Sequence, residues 1–186
     1  MGDLYVTLLH HPVYDKNGAV VTTAVTNMDV HDLSRLACTF GLPACYVATP
    51  VPTLRRLVER IMQHWETGPG STYNTTRKEA LARVRLAHDL DGVMADIERE
   101  AGVLPRLVAT SAREGGQRLG FAALRARLAE DRRPELLVLG TGWGLTREIL
   151  DRADDVLEPI RGAVAYNHLS VRAAAAIILD RLMGDR

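Results

Sequence analysis

Short apolar runs rich in β-branched residues alternate with longer amphipathic segments along almost the whole chain. The runs at Leu4 to Leu9, Ala44 to Ala48, Arg83 to Ala87, Arg106 to Thr110, Glu135 to Leu139 and Asp155 to Leu157 predict strands. Between them, helices are predicted over Asp29 to Phe40, Pro52 to Trp65, Leu90 to Glu100, Phe121 to Ala129, Leu145 to Arg152 and His168 to Met183. Pro52 suits the first turn of its helix, where a missing N–H costs nothing. The stretch Glu66 to Thr76, rich in Gly, Pro, Ser and Thr, reads as a loop. Asn17-Gly18 is a hairpin-turn signal and predicts a small flap ahead of the first helix.

Strands that alternate with helices imply parallel pairing through crossover helices. The fold expected is therefore α/β, a parallel sheet covered by helices on both faces. No repeat, low-complexity tract or linker divides the 186 residues, so one domain spanning 1–186 is expected. Ligands bind such sheets at the carboxyl ends of the strands. Four segments stand there: His10-His11-Pro12, Thr49-Pro50, Thr110-Ser111-Ala112-Arg113 and Gly140-Thr141-Gly142-Trp143-Gly144.

The last of these is the sharpest local signal. The most apolar strand, Leu136-Leu137-Val138-Leu139, runs directly into three glycines and then Leu145 and a helix. Glycines there permit positive φ and close approach of a ligand to the backbone. A dinucleotide fingerprint of the form G-x-G-x-x-G is not met, and the motif nearly closes the chain where that fingerprint usually opens it. A second signal follows: Leu157-Glu158-Pro159-Ile160-Arg161-Gly162, then Tyr166-Asn167-His168-Leu169-Ser170-Val171-Arg172. This polar loop feeds a helix apolar almost all round, Ala173 to Leu182, broken only by Asp180 and Arg181. Such a helix belongs either in the core or in a subunit interface.

Together these segments resemble the C-terminal knot of the SPOUT, or α/β-knot, RNA methyltransferases. Gly140 to Leu145 match that family's Gly-rich turn, Pro159 to Gly162 its Pro-Ile/Met-x-Gly loop, and Leu169-Ser170-Val171 with the following alanines its last helix start. Asp29 to Gly41 is similar to the first family motif, a helix start with Arg six positions on that closes in Phe-Gly. His11-Pro12-Val13-Tyr14 and Tyr166 to Ser170 extend the likeness over nearly all of the chain, to a bacterial subfamily of SPOUT RNA methyltransferases. Two departures stand out. Thr141-Gly142-Trp143 supplies no Glu where the ribose-methylating branch usually carries one, and His168 replaces the usual Asn, although Asn167 is adjacent. Both leave base methylation at least as well supported as ribose methylation.

The resemblance implies a deep trefoil knot over about 136–183, S-adenosylmethionine as cofactor, and a homodimer formed through the last helix and the knot. Cofactor contacts are implied at Leu139, Gly140, Thr141, Gly142, Gly144, Leu145, Pro159, Ile160, Arg161, Gly162, Tyr166, Asn167, Leu169 and Ser170. Arg35 is implied at the methyl-accepting site, facing the cofactor of the second subunit. Asp29 and Asp32 are candidate bases, and His168 a contact to target or cofactor. Methyl transfer from a sulfonium is chiefly a matter of positioning, with a base or cation needed where the acceptor loses a proton. Read from periodicity alone, Val30, Leu33, Ala37 and Phe40 make a buried face opposite His31, Asp32 and Arg35. On that reading Asp29 caps the helix and Asp32 pairs with Arg35 at the surface.

Composition changes this picture little. Hydrophobic residues make up 47% and charged residues 25%, the balance of an ordinary soluble protein. No apolar run suits a membrane span, and Met1-Gly2-Asp3-Leu4-Tyr5 carries neither a basic leader nor a myristoylation pattern. Cys38 and Cys45 stand alone, so no metal site is expected, and buried thiols in a reducing, cytoplasmic setting are. Net charge is zero, yet 21 of the 23 basic residues are arginines, a residue suited to phosphate and base contacts. The expected function is methyl transfer from S-adenosylmethionine to a nucleotide of tRNA or rRNA. A homodimeric SPOUT-fold RNA-binding protein without turnover is the alternative.

Overall fold

The computed structural model describes residues 2–164 and 166–185; Met1 lies outside them. Six parallel strands form the sheet: β1 (Leu4–Leu9), β4 (Cys45–Ala48), β5 (Val84–Ala87), β6 (Arg106–Ala109), β7 (Glu135–Gly140) and β8 (Asp155–Val156), in the order β5-β4-β1-β7-β6-β8. β1 and β7 are central and fully in register, from Leu4 opposite Glu135 to Leu9 opposite Gly140. Their side chains alternate between two separate apolar cores. Leu4, Val6 and Leu8 face one, and Tyr5 and Leu9 the other. Burial on both faces is why these strands read as continuous apolar runs.

The first core is covered by α1 (Asn27–Thr39), α2 (Pro52–Glu66), α4 (Thr75–Leu81), α6 (Phe121–Glu130) and α8 (Val171–Met183). The second is covered by α5 (Leu90–Ala101) and α7 (Arg147–Arg152). Among the described residues no helix is long and apolar enough to cross a membrane. Asn17-Gly18 does form the turn of a small hairpin, β2 (Val13–Tyr14) with antiparallel β3 (Val20–Val21), Gly18 taking φ +80°.

Several local expectations are corrected. α1 begins two residues before Asp29, because Thr26 is the cap: its hydroxyl accepts from Asp29 N and the Asp29 carboxylate accepts from Thr26 N. The Glu66 to Thr76 stretch holds a short helix, α3 (Gly70–Tyr73), and α4 follows it. α3 lies so close on Trp65 that a Cβ at Gly70 would stand 2.7 Å from the indole. α4 escapes the hydrophobic pattern because only Ala80 and Leu81 of its residues are buried; Asn74, accepting from Arg77 N, starts it. α7 starts at Arg147 rather than Leu145, which instead bridges to Val13. α8 starts at Val171, after a Ser170 cap, so His168 and Leu169 belong to the preceding loop.

Candidate functional site

A cavity of about 730 Å³ opens at the carboxyl ends of β6 and β7. Its floor is the turn after β7, and the sequence of that turn dictates its shape. Gly142 and Gly144 take φ +59° and +101°, and a Cβ at Gly140 would lie 2.8 Å from Leu145 N. The hairpin clamps the turn from outside. Trp143 N donates to Tyr14 O (2.9 Å), Tyr14 N donates to Gly144 O (2.9 Å), and the Thr23 and Thr141 hydroxyls are 2.5 Å apart. A Cβ at Gly142 would stand 2.8 Å from Tyr14 O, so only glycine lets hairpin and turn meet.

One wall is the loop after β8. Leu157, Glu158, Pro159 and Ile160 line it, and the Glu158 carboxylate also accepts from Phe121 N (2.8 Å), closing the otherwise uncapped start of α6. Asn167, His168, Leu169, Ser170 and Val171 form the next wall, leading into Ala174 and Ile178 of α8. Asn167 Nδ2 donates to Ala112 O (3.0 Å), tying this loop to the one after β6, whose Thr110 to Arg113 also line the cavity. Thr23, Ala24, Thr26 and Asp29 complete it.

Of the fourteen residues expected at the cofactor, the cavity gathers Leu139, Gly140, Thr141, Gly142, Gly144, Leu145, Pro159, Ile160, Asn167, Leu169 and Ser170. Arg161, Gly162 and Tyr166 lie outside its lining and are exposed. Arg161 meets Glu114 at 3.3 Å, and Tyr166 packs edge-on against His168. Trp143, expected as part of the strand-end segment Gly140 to Gly144, lines the cavity too, while Leu150, Thr23, Ala24 and Thr26 were not expected. Only contacts between distant segments bring Thr23 to Thr26 here, whereas Trp143 sits inside the flagged glycine turn.

Two strand-end segments behave differently from the other two. Thr49-Pro50 and His10-His11-Pro12 do not line the cavity. His10 is fully buried behind it, with Nδ1 3.2 Å from Thr23 Oγ1 and Nε2 without a partner among the described residues. Burial pushes its imidazole down to about 4, against a weaker opposing pull from the Asp29 carboxylate.

The four residues expected at the acceptor divide between two places. Asp29 and His168 line the cavity, Asp29 buried and His168 exposed at the rim. Asp32 and Arg35 line a shallower groove of about 500 Å³ beside it, shared with Ser170 and Arg172. The expected Asp32–Arg35 surface pair is not formed. Arg172 of α8 takes Asp32 instead (3.0 Å) and stands 3.4 Å from Asp29, while Arg35 is exposed with no carboxylate within 4.0 Å among the described residues.

The groups facing the cavity fit S-adenosylmethionine. Its volume lies in the range of small-molecule sites, its floor is bare backbone at the glycines, and polar loop residues such as Thr141, Asn167 and Ser170 line its walls.

Comparison with known proteins agrees. Residues 3–184 match the family described as SAM-dependent RNA methyltransferase. A protein of Nitratidesulfovibrio vulgaris named tRNA (guanine-N(1)-)-methyltransferase is 48% identical over 183 residues, covering 98% of this chain and 42% of that one. The chain thus spans about two fifths of that relative's length. An uncharacterized protein of Aquifex aeolicus is 41% identical over 180 residues, covering 97% of this chain and 88% of its own. The solved SpoU methyltransferase AviRb of Streptomyces viridochromogenes shares the fold, with TM-score 0.61 at 19% identity, over 97% of this chain and 58% of that one. The glycine turn, the loops that meet over it and the match across residues 3–184 lead to one conclusion: the chain belongs to the SAM-dependent RNA methyltransferase family.

Proposed function

We propose that this chain transfers a methyl group from S-adenosylmethionine bound in the 730 Å³ cavity to a nucleotide of tRNA, working in the cytoplasm as a homodimer. The glycine turn carries the reading: a backbone floor at Gly140, Gly142 and Gly144, held open by the hairpin and walled by the loops at 157–160 and 167–171. When bound, the cofactor supplies an electrophilic methyl group on a sulfonium. The chain's own residues bind and orient. The backbone amides and carbonyls of the loops read the adenine, and Asp29, held by Arg172 and Thr26, stiffens the cavity wall. Arg35, free of any carboxylate partner among the described residues, stabilises charge developing on the acceptor. Asp32 and Asp29 fix Arg172, and His168 stands at the rim where the target enters.

Residues 1–186 act as one unit, with a trefoil knot over about 136–183 in which the chain after β8 threads past the loop 110–120. Contacts on both sides of that loop support the threading. Leu119 pairs with Leu157, Glu158 N donates to Leu119 O (2.9 Å), and Asn167 reaches Ala112 O before α8 returns to α1 and α6. α8 supports the dimer: Ala173, Ala176 and Ile177 remain half-buried, an apolar stripe that a second copy would cover. tRNA is the substrate class in the name of the Nitratidesulfovibrio relative.

Calorimetric titration with S-adenosylmethionine, with NAD as the comparison ligand, tests the site. Transfer of radiolabelled methyl into bulk tRNA or ribosomal RNA then tests the reaction. Saturable binding of S-adenosylmethionine alone, followed by incorporation into tRNA, is expected. NAD binding, or cofactor binding without transfer to any RNA, would overturn the reading.

A further inference from the structure

A line of arginines with no described carboxylate within 4.0 Å runs across α1, α2 and α4, next to the Arg35 groove. Arg56, Arg60 and His64 recur every four residues on α2 and so share an edge of it. That edge leads to Trp65, whose ring is met from three directions. The Arg77 guanidinium lies 4.9 Å from its centroid, and the His64 and His31 rings stand edge-on at 5.2 and 5.7 Å. Arg35 lies one turn beyond His31 on α1. Nearby, Tyr73 closes α3 with 88% of its surface exposed.

Three other arginines are each neutralised twice over: Arg85, Arg106 and Arg127 hold two carboxylates within 4.0 Å. Along this edge no described carboxylate lies that close to Arg35, Arg56, Arg60 or Arg77, although Glu59, Glu66 and Glu79 occupy the same helices. Burial pushes the His31 imidazole down, and Arg77 and Arg35 add to the effect against an opposing pull from Asp32. This edge therefore brings together four guanidinium groups unpaired with any described carboxylate and sets aromatic rings among them. Guanidinium forks suit phosphates, and an exposed ring offers a stacking face to an unpaired base.

We infer that the edge formed by α1, α2 and α4 is a docking surface for the substrate RNA, with Arg56, Arg60 and Arg77 contacting phosphates and Tyr73 stacking on a base. The inference rests on the RNA methyltransferase reading above and adds where the RNA lies. The strand follows this edge and reaches the methyl-accepting site at Arg35.

The test uses Arg60→Glu, Arg77→Glu and Tyr73→Ala in the full chain, with fluorescence anisotropy against bulk tRNA and bulk ribosomal RNA over a salt series. Arg60 and Tyr73 are exposed, so their variants keep the fold even if loss of the Arg77–Trp65 contact loosens α4. Expected are roughly fivefold to tenfold weaker RNA binding, and for the arginine variants a salt slope smaller by about one. S-adenosylmethionine affinity stays within about twofold of wild type, and the methylation defect falls on KM for RNA. RNA affinity unchanged in Arg60→Glu and Tyr73→Ala, in a wild type that does methylate RNA, overturns the docking surface alone. A wild type that neither binds nor methylates either RNA overturns the functional reading and this surface with it.

Discussion

Arg172 Nη1 lies 3.0 Å from Asp32 Oδ2, bonding the first turn of α8 to the middle of α1. The same guanidinium stands 3.4 Å from Asp29, whose other oxygen accepts from Thr26 N and Thr26 Oγ1. One side chain thus joins the last helix of the proposed knot to the helix that carries Arg35, and it also fixes a buried carboxylate in the cavity wall.

Removing that link should cost stability and cofactor affinity together. Arg172→Ala leaves Asp29 buried without its cation, a loss of about 2 kcal/mol on the scale of charged hydrogen bonds. A fall in the denaturation midpoint, with weaker S-adenosylmethionine binding in calorimetry, is expected. Arg172→Lys should recover part of both. Wild-type stability in the alanine variant would mean that Asp29 and Asp32 are held by other groups.

Two glycines on the proposed cofactor loops should respond in opposite ways. Gly142 combines φ +59° with a Cβ position 2.8 Å from Tyr14 O, so Gly142→Val must push the hairpin off the turn. Gly162 meets nothing within 4 Å and does not line the cavity, so Gly162→Val has room. Calorimetry should show S-adenosylmethionine binding lost in the first and kept within a few-fold in the second. Equal loss in both would place the ligand against Gly162 as well.

The glycine turn was legible in the sequence because its chemistry is local: positive φ at Gly142 and Gly144 and the tight approach at Gly140 admit few other residues. The parallel sheet was legible for a similar reason, since burial on two faces leaves uninterrupted apolar runs such as Leu136 to Leu139. What escaped depended on distant pairing. Asp32 and Arg35 are neighbours on one helix and invited a local pair, yet the partner of Asp32 is Arg172, 140 residues away. Thr23 and Thr26 reach the cavity only because the hairpin folds back onto the turn. α4 was hidden because two buried residues at its end are too few to show a period.

Arg35 is exposed and free of carboxylate partners among the described residues, so truncating it should leave folding alone. Arg35→Ala is expected to keep the denaturation midpoint within about 0.5 kcal/mol of wild type. If it stabilises charge on the acceptor, its loss should lower methyl transfer by roughly a hundredfold or more, with S-adenosylmethionine affinity unchanged. Transfer at the wild-type rate would remove Arg35 from the reaction.

His10 should make the protein lose stability on mild acidification. Burial holds its imidazole at about 4 in the folded chain, against 6.5 for an exposed histidine. Above pH 6.5 both folded and unfolded states carry it neutral, and its contribution is fully present. Between 6.5 and about 4 the unfolded chain takes up a proton that the folded chain refuses, so each pH unit favours unfolding by about 1.4 kcal/mol. The total approaches about 3 kcal/mol. The geometry supplies the cause: the ring is buried, Nδ1 meets Thr23 Oγ1, and the pulls of Asp29 and the Ala24 backbone toward the charged form are weaker than the burial. His31 is pushed in the same direction and adds to the slope. Urea midpoints at pH 7.5, 6 and 5 should fall steadily in the wild type and less in His10→Gln, which cannot titrate. Parallel curves for the two proteins would show that His10 is not the group taking up the proton.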